Sequence, residues 1–472
     1  MDFIGREGEA AKILKLESSS KAEFLALYGR RRVGKTYLIK ALYREVFAFY
    51  VTGVANVSVN EQLINFNLAL KKYSKKKWDM PENWLYAFQQ LIEHLEKSKQ
   101  KKKIIFIDEL PWFDTPNARF LQALEHFWNS WASARKDIFL IVCGSAASWM
   151  LTKLIHNKGG LYNRVTYRMK IEPFTLRECS LFLQKRKIAL DAYQIIQLYM
   201  VLGGIPFYWE TVSRGRSAAQ IIEEVCFSEG GLLQNEFHAV FQSLFNQPER
   251  HLSIVKTLAT KAKGLLRGEI ASLSGLSNGG GLSRLLKELE ESGFITSYVP
   301  FGKASRNTLY QLSDFYSLFY LKFLFRQNRG GKNQWIKMID SPTHRAWSGY
   351  AFEQVCLYHI QQLQQALGIS GMQTQVSSWR SASDKQGAQI DLIIDRRDQV
   401  INLCEMKFSI NPFIICKKYA DELRNKMGCF KSETQTRKAV FLTMITTFGV
   451  TSNQHSGSVV QNDLTMDVLF QS

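Results

Sequence analysis

The stretch Phe24 to Leu42, FLALYGRRRVGKTYLIKAL, decides the fold. It reads as a short apolar strand, Phe24-Leu25-Ala26-Leu27-Tyr28, then a glycine-bounded loop, then a helix. The loop, Gly29-Arg30-Arg31-Arg32-Val33-Gly34-Lys35-Thr36, fits GxxxxGK[ST] in full. Glycines let the backbone turn tightly and come close to phosphate oxygens. Successive N–H groups then point inward at a helix start, where the dipole favours an anion. Gly29, Arg32, Val33, Gly34, Lys35, Thr36 and Tyr37 are therefore the expected phosphate-site residues. Lys35 is placed to reach the terminal phosphates and Thr36 to hold Mg²⁺.

Two further strands belong with this loop. Ile104-Ile105-Phe106-Ile107 runs into Asp108-Glu109, the pattern of a buried parallel strand ending in carboxylates. Ligands of open α/β sheets sit at such strand ends. Asp108 is expected to bind Mg²⁺ through water, and Glu109 to polarise the attacking water. The strand Asp137–Cys143 ends in Gly144-Ser145, where Ser145 either senses the phosphate or its water, or caps a helix. Arg164 either neutralises charge on a transferring phosphoryl group or is a surface residue.

The chain has 472 residues, which suggests two to four domains, and 46% apolar residues, which excludes a disordered chain. Its net charge of +19 favours a polyanionic partner such as DNA. Seven scattered cysteines without a CxxC pair point to neither a zinc site nor a disulfide framework, and so to a reducing compartment. The N-terminus lacks an apolar leader and no apolar run reaches membrane-spanning length, so a cytoplasmic location with no membrane association is expected. A lysine cluster, Lys71, Lys72, Lys75, Lys76 and Lys77, is expected to break a helix and face solvent.

FIGREGE, GRRRVGKT, IIFIDEL, CGSAASWM, LYNR, IEPF and GGIPFYW occur in that order. Together they resemble the archaeal/bacterial ATPase family within the STAND and AAA-like P-loop NTPases, over residues 1 to about 240. The resemblance implies ATP and Mg²⁺ as ligands. It also implies that Gly5, Arg6, Gly204 and Pro206 flank the nucleotide, and that Arg164 senses the γ-phosphate. Many members read LYGR where this chain reads LYNR.

Beyond this part, helices over 254–261, 267–273 and 282–292, followed by a β-hairpin, resemble a winged helix-turn-helix. Its third helix mixes Arg284 and Lys287 with Glu288, Glu290 and Glu291, so DNA contact and protein packing both stay open. Towards the C-terminus, Glu353 lies on an amphipathic helix, Asp391 on one apolar strand, and Glu405 and Lys407 on the next. Glu405 and Lys407 are two apart and share a strand face. Charges on an apolar strand require compensation, and Mg²⁺ or Mn²⁺ bound by Asp391 and Glu405 would supply it. Lys407 would help deprotonate the attacking water and Glu353 would hold that water or complete the ligand set. This order resembles the PD-(D/E)XK nuclease superfamily, with Ile390 in place of the proline, and the whole chain resembles DUF234-like ATPases. A basic helix over Pro412–Met427, with Lys417, Lys418, Arg424 and Lys426, is expected to line a DNA groove.

The expected organisation is a multidomain α/β protein. A P-loop ATPase core (1–174) precedes a helical lid (175–245), a winged helix (246–313), connecting helices (314–345) and a restriction-endonuclease-like α/β domain (346–472). The function expected is a Mg²⁺-dependent ATPase coupled to a DNA-directed nuclease-like domain. The alternative is an ATP-driven switch that binds DNA, a protein partner or another copy of itself, with a catalytically inactive C-terminal domain.

Overall fold

The computed structural model describes residues 4–155, 163–325, 333–381 and 388–471. The chain divides into two compact units, Met1–Pro173 and Phe174–Ser472. The expected subdivisions beyond residue 174 all fall within the second unit. Phe3, Gly159 to Tyr162 and the basic segment 326–332 lie outside the described residues.

The first unit is built on a parallel sheet: β1 (Glu23–Tyr28), β2 (Phe47–Thr52), β3 (Lys103–Asp108), β4 (Ile138–Gly144) and β5 (Tyr167–Lys170), in the order β2-β3-β4-β1-β5. Its central strands are apolar throughout because both faces are covered, as parallel sheets require. Helices α1 (Glu7–Glu17), α2 (Lys35–Tyr43), α3 (Val59–Ser74), α4 (Trp84–Lys97) and α5 (Phe120–Ser130) belong to this unit. Phe66 of α3, Trp84 and Phe88 of α4, and Phe120 and Phe127 of α5 share one core with Phe49, Ile105, Ile107 and Leu140 of the sheet. Each such side chain contributes about 1.5–3 kcal/mol on burial.

Caps mark where these helices start. Ser58 and Glu61 form a reciprocal capping box at α3, and the Asn83 side chain accepts the amides of Leu85 and Tyr86 at α4. Lys71 and Lys72 lie inside α3, not in a break. The helix ends only at Lys75, whose backbone is left-handed, since lysines on a solvent face do not interrupt a helix.

In the second unit, α6 (Leu176–Lys185) and α7 (Ala192–Leu202) are followed by α8 (Glu236–Leu244), α9 (Pro248–Leu258), α10 (Arg267–Ser274) and α11 (Gly280–Glu291). An antiparallel three-stranded sheet, β6 (Leu265–Leu266), β7 (Ile295–Tyr298) and β8 (Leu309–Leu312), accompanies α9 to α11 in the order β6-β8-β7. After α12 (Pro342–Tyr358) comes a mixed sheet: β9 (Thr374–Arg380), β10 (Gln389–Arg396), β11 (Val400–Lys407), β12 (Ala439–Thr446) and β13 (Asn462–Thr465). Its order is β13-β12-β11-β10-β9, with β9, β10 and β11 antiparallel and β11, β12 and β13 parallel.

Three boundaries differ from the sequence expectation. The helix expected from Ile254 starts at Pro248, where proline's missing N–H costs nothing at a helix start. The basic helix expected over Pro412–Met427 is α13, Lys417–Thr434, because Phe413 pairs with Val450 in a parallel bridge instead. The strand expected over Leu464–Phe470 stops at Thr465, and Met466–Phe470 is a 3₁₀ turn.

A buried histidine anchors α6. His359 has no exposed surface; its Nδ1–H donates to the Val355 carbonyl at 2.8 Å and its Nε2 accepts the Leu176 amide at 2.9 Å. An amide can only donate, so the ring is neutral in this arrangement. Burial lowers its pKa from the ordinary 6.5 to about 4. The unfolded chain therefore takes up this proton at higher pH than the folded one. This contribution to stability is full above about pH 6.5 and falls as pH drops towards about 4. Thermal unfolding is expected to show a midpoint that declines across this window. His359→Gln, which keeps a donor and an acceptor but has no proton to gain, is expected to flatten that part of the profile.

Candidate functional site

Strand register builds the first site. Tyr28 of β1 pairs with Gly144 of β4, while Ile107 of β3 pairs with Val142 of β4. Three strands thus end together, and their next residues, Gly29, Asp108 and Ser145, emerge along one edge of the sheet.

The loop after β1 is shaped by two glycines. At Gly29, with φ +138°, an added Cβ would stand 2.3 Å from the Ile171 carbonyl oxygen, so no side chain fits. Gly34, with φ +91°, is the residue from which α2 departs. Between them Arg32 is left-handed (φ +68°) and Val33 is fully buried. Lys35 is buried, and its ammonium donates to the carbonyls of Gly29 (3.0 Å) and Arg30 (2.8 Å) across its own loop. Burial lowers its pKa against the opposing pull of Cys143, Glu109 and Asp108. Tyr37 is exposed on the first turn of α2.

Asp108 is 3% exposed and held from three sides. The Thr36 hydroxyl lies 3.1 and 2.9 Å from its two oxygens, the Cys143 thiol donates at 2.7 Å, and the Glu109 amide donates at 3.0 Å. Burial raises its pKa, as it does that of Cys143. Thr36 and Asp108 thus present a hydroxyl and a carboxylate together beside the phosphate loop. That is an all-oxygen pair that fits Mg²⁺ shared with a nucleotide phosphate. Glu109 has a left-handed backbone (φ +48°), an uncommon state for a non-glycine residue that clusters at functional sites. Its carboxylate accepts the Ser145 hydroxyl at 2.9 Å and the Ser145 amide at 3.2 Å. The sequence left Ser145 open between two roles; its side chain holds Glu109. Cys143 was not singled out by sequence, because only the register reveals that it faces Asp108.

Other expected residues lie elsewhere. Gly5 is left-handed (φ +61°), and Arg6 is a buried strap: its guanidinium donates to the Val33 carbonyl at 3.2 Å and the Glu172 carbonyl at 2.6 Å, and pairs with Glu9 at 3.2 Å. Arg164 is exposed in the turn before β5, with no hydrogen bond or ion pair to the phosphate loop among the described residues. Gly204 and Pro206 belong to the second unit. There the Gly204 carbonyl accepts the Phe174 amide at 2.6 Å, and a Cβ on Gly204 would fall 1.9 Å from the Phe174 oxygen, so the glycine is required by backbone contact.

A second cluster lies on the mixed sheet. Leu392 pairs with Cys404, so Asp391 and Glu405 stand one residue further along adjacent strands. Glu353 comes from α12, which packs on β11. Burial, reinforced by the facing Asp391 carboxylate, holds the Glu353 carboxyl well above the usual range. Each of the other two carboxylates is bound by lysine. Glu405 accepts Lys407 (3.0 Å), Lys426 of α13 (2.8 Å) and the Tyr419 hydroxyl (2.8 Å). Asp391 accepts Lys263 at 3.2 Å and Gln389 at 2.6 Å. Among the described residues no group of three or more His, Cys, Asp or Glu is placed to hold a metal ion. As they stand, these residues do not fit Mg²⁺ or Mn²⁺: ammonium groups fill the positions a cation would take. Lys426, expected to line a DNA groove, turns onto Glu405, and Arg424 pairs with Asp421 at 2.7 Å.

Residues 3–212 match the model of a family described as an ATPase domain predominantly from Archaea. An uncharacterized protein of Methanocaldococcus jannaschii is 25% identical over 418 residues, spanning 86% of this chain and 87% of that one. Among solved structures, a Walker-type ATPase of Pyrococcus abyssi is 16% identical with a TM-score of 0.49, over 68% of this chain and 96% of its own. The ORC2 protein of Aeropyrum pernix is 15% identical with a TM-score of 0.42, over 66% and 91%. No helix among the described residues is long and apolar enough to cross a membrane. With its phosphate loop and acidic strand matched by that family model, the chain carries an archaeal-type P-loop ATPase domain.

Proposed function

We propose that this protein binds and hydrolyses Mg·ATP through its first unit, and that the ATPase drives a DNA-directed, nuclease-like C-terminal domain. The observation that carries the ATPase part is the convergence of Lys35, Thr36, Asp108, Glu109 and Ser145 on one edge of a parallel sheet. Lys35 exchanges its two loop carbonyls for phosphate oxygens when nucleotide enters. Mg²⁺, held by Thr36 and Asp108, supplies charge neutralisation at the β- and γ-phosphates. Glu109 accepts a proton from, or orients, the attacking water, and Ser145 fixes the direction of its carboxylate. Resemblance assigns Arg164 to the developing phosphoryl charge.

In the second unit, α9 to α11 with β6, β7 and β8 have the element order of a winged helix, and the mixed sheet carries Glu353, Asp391, Glu405 and Lys407 in the order of a PD-(D/E)XK site. The net charge of +19 supports a DNA partner. A second reading rests on a specific observation: lysine ammoniums occupy Asp391 and Glu405. In that reading the C-terminal domain binds DNA or a protein partner without cutting, and ATP acts as a switch.

Two measurements test this. Purified Lys35→Ala is expected to lose binding of a fluorescent ATP analogue. Glu109→Gln is expected to bind it normally while phosphate release falls by about 10²-fold or more; unchanged turnover would remove Glu109 from its role. Affinity for duplex DNA is expected to decline steeply between low and high salt, as phosphate contacts demand. An absence of DNA binding at low salt would favour the protein-directed switch.

A further inference from the structure

The carboxylate cluster on the mixed sheet receives one cation from outside its own module. Lys407 is on β11 and Lys426 on α13, both elements of that sheet's domain, but Lys263 belongs to the loop between α9 and β6. That loop is pinned by its backbone. The Tyr298 hydroxyl donates to the Lys263 carbonyl at 2.7 Å. The Ala262 carbonyl accepts both the Tyr350 hydroxyl of α12 (2.7 Å) and the Gln311 side-chain amide (2.7 Å), and Gln311 also reaches the Tyr350 hydroxyl at 3.1 Å. Gly264 follows in a left-handed conformation (φ +82°), where an added Cβ would meet the Tyr310 carbonyl oxygen at 2.7 Å. A neighbouring contact repeats the docking: the Phe301 amide donates to the Ser378 carbonyl at 2.7 Å, and the Phe301 ring packs on Phe430 with centroids 5.2 Å apart.

The backbone of the loop is therefore fixed while the Lys263 side chain is not. It is 48% exposed, and Asp391 is 29% exposed. An ion pair so open to water is easily exchanged, and is worth at most about a fivefold change in an equilibrium. The fixed loop delivers a cation to Asp391, and the weak pair lets another cation replace it.

We propose that Lys263 is an intramolecular latch on the carboxylate site: its ammonium sits on Asp391 and competes with a divalent cation, so that displacement of the 260–264 loop by the α9–β8 module opens the site. This rests on the nuclease-like reading of Asp391 and Glu405. It also accounts for why the carboxylates do not form a metal site as they stand. In the latched arrangement, Lys263, Lys407 and Lys426 together offset the charge of Glu353, Asp391 and Glu405, and a divalent cation has no net negative charge to enter.

The test is a Mn²⁺ titration of the full chain without nucleotide, followed by the electron paramagnetic resonance signal of free Mn²⁺, with Asp391→Asn identifying the ion bound at this site. Lys263→Met is expected to tighten the Asp391-dependent Mn²⁺ by about two- to fivefold. Lys263→Arg is expected to leave it near wild type, and Tyr298→Phe to shift it in the direction of Lys263→Met by freeing the loop. Circular dichroism checks that each variant is folded. If the Asp391-dependent ion is present but Lys263→Met leaves its affinity unchanged or weakens it, the latch is wrong and the metal-site reading stands. If no variant, including Lys263→Met, binds an Asp391-dependent Mn²⁺, the metal-site reading falls and the latch with it.

Discussion

A carboxylate buried at the end of a parallel strand must be satisfied, and Asp108 is satisfied three times over, by Thr36, Cys143 and the Glu109 amide. An unpaired acid at 3% exposure would cost several kcal/mol or take up a proton. The three donors come from different segments, so the interaction ties the phosphate loop, the acidic strand and the strand of Cys143 into one edge. Everything proposed for nucleotide chemistry depends on that tie. It sets Thr36 against Asp108, turns Glu109 into a left-handed backbone, and leaves its side chain to Ser145.

How far this could be read from sequence follows from how local each feature is. GRRRVGKT is contiguous, and its glycines have a single structural use, so loop and helix start were legible. The acidic strand was legible because four apolar residues before two acids admit few other readings. The Glu109–Ser145 contact and the Cys143–Asp108 contact needed strand register, which no local pattern carries. Helix ends were less legible where a strong local signal misled. Lysines at 71 and 72 look like a break but sit on a continuing helix, and Pro412 looks like a helix start although Phe413 beside it pairs as an extended bridge.

The second cluster shows the opposite balance. Glu353, Asp391, Glu405 and Lys407 were found from spacing, yet their partners were not. Lys426 reads as one more cation on a basic helix, and Lys263 lies 128 residues before Asp391. Only the packing of separate modules against one another brings these lysines to the acids. The same acids in sequence order can thus be a metal site or an ion-pair cluster, and the difference lies in which cations the fold supplies. In the first unit the fold supplies a hydroxyl and leaves the cation to come with the nucleotide. In the second it supplies the cations itself.

The account's central claim is that Thr36 and Asp108 form the metal side of an ATP site. It is tested most directly by titrating a fluorescent ATP analogue into wild type and Asp108→Asn, each with Mg²⁺ and with chelator. Wild type is predicted to bind markedly tighter with Mg²⁺, and Asp108→Asn to lose that dependence. Binding that ignores Mg²⁺ in wild type, or a Mg²⁺ dependence that survives in Asp108→Asn, would contradict it.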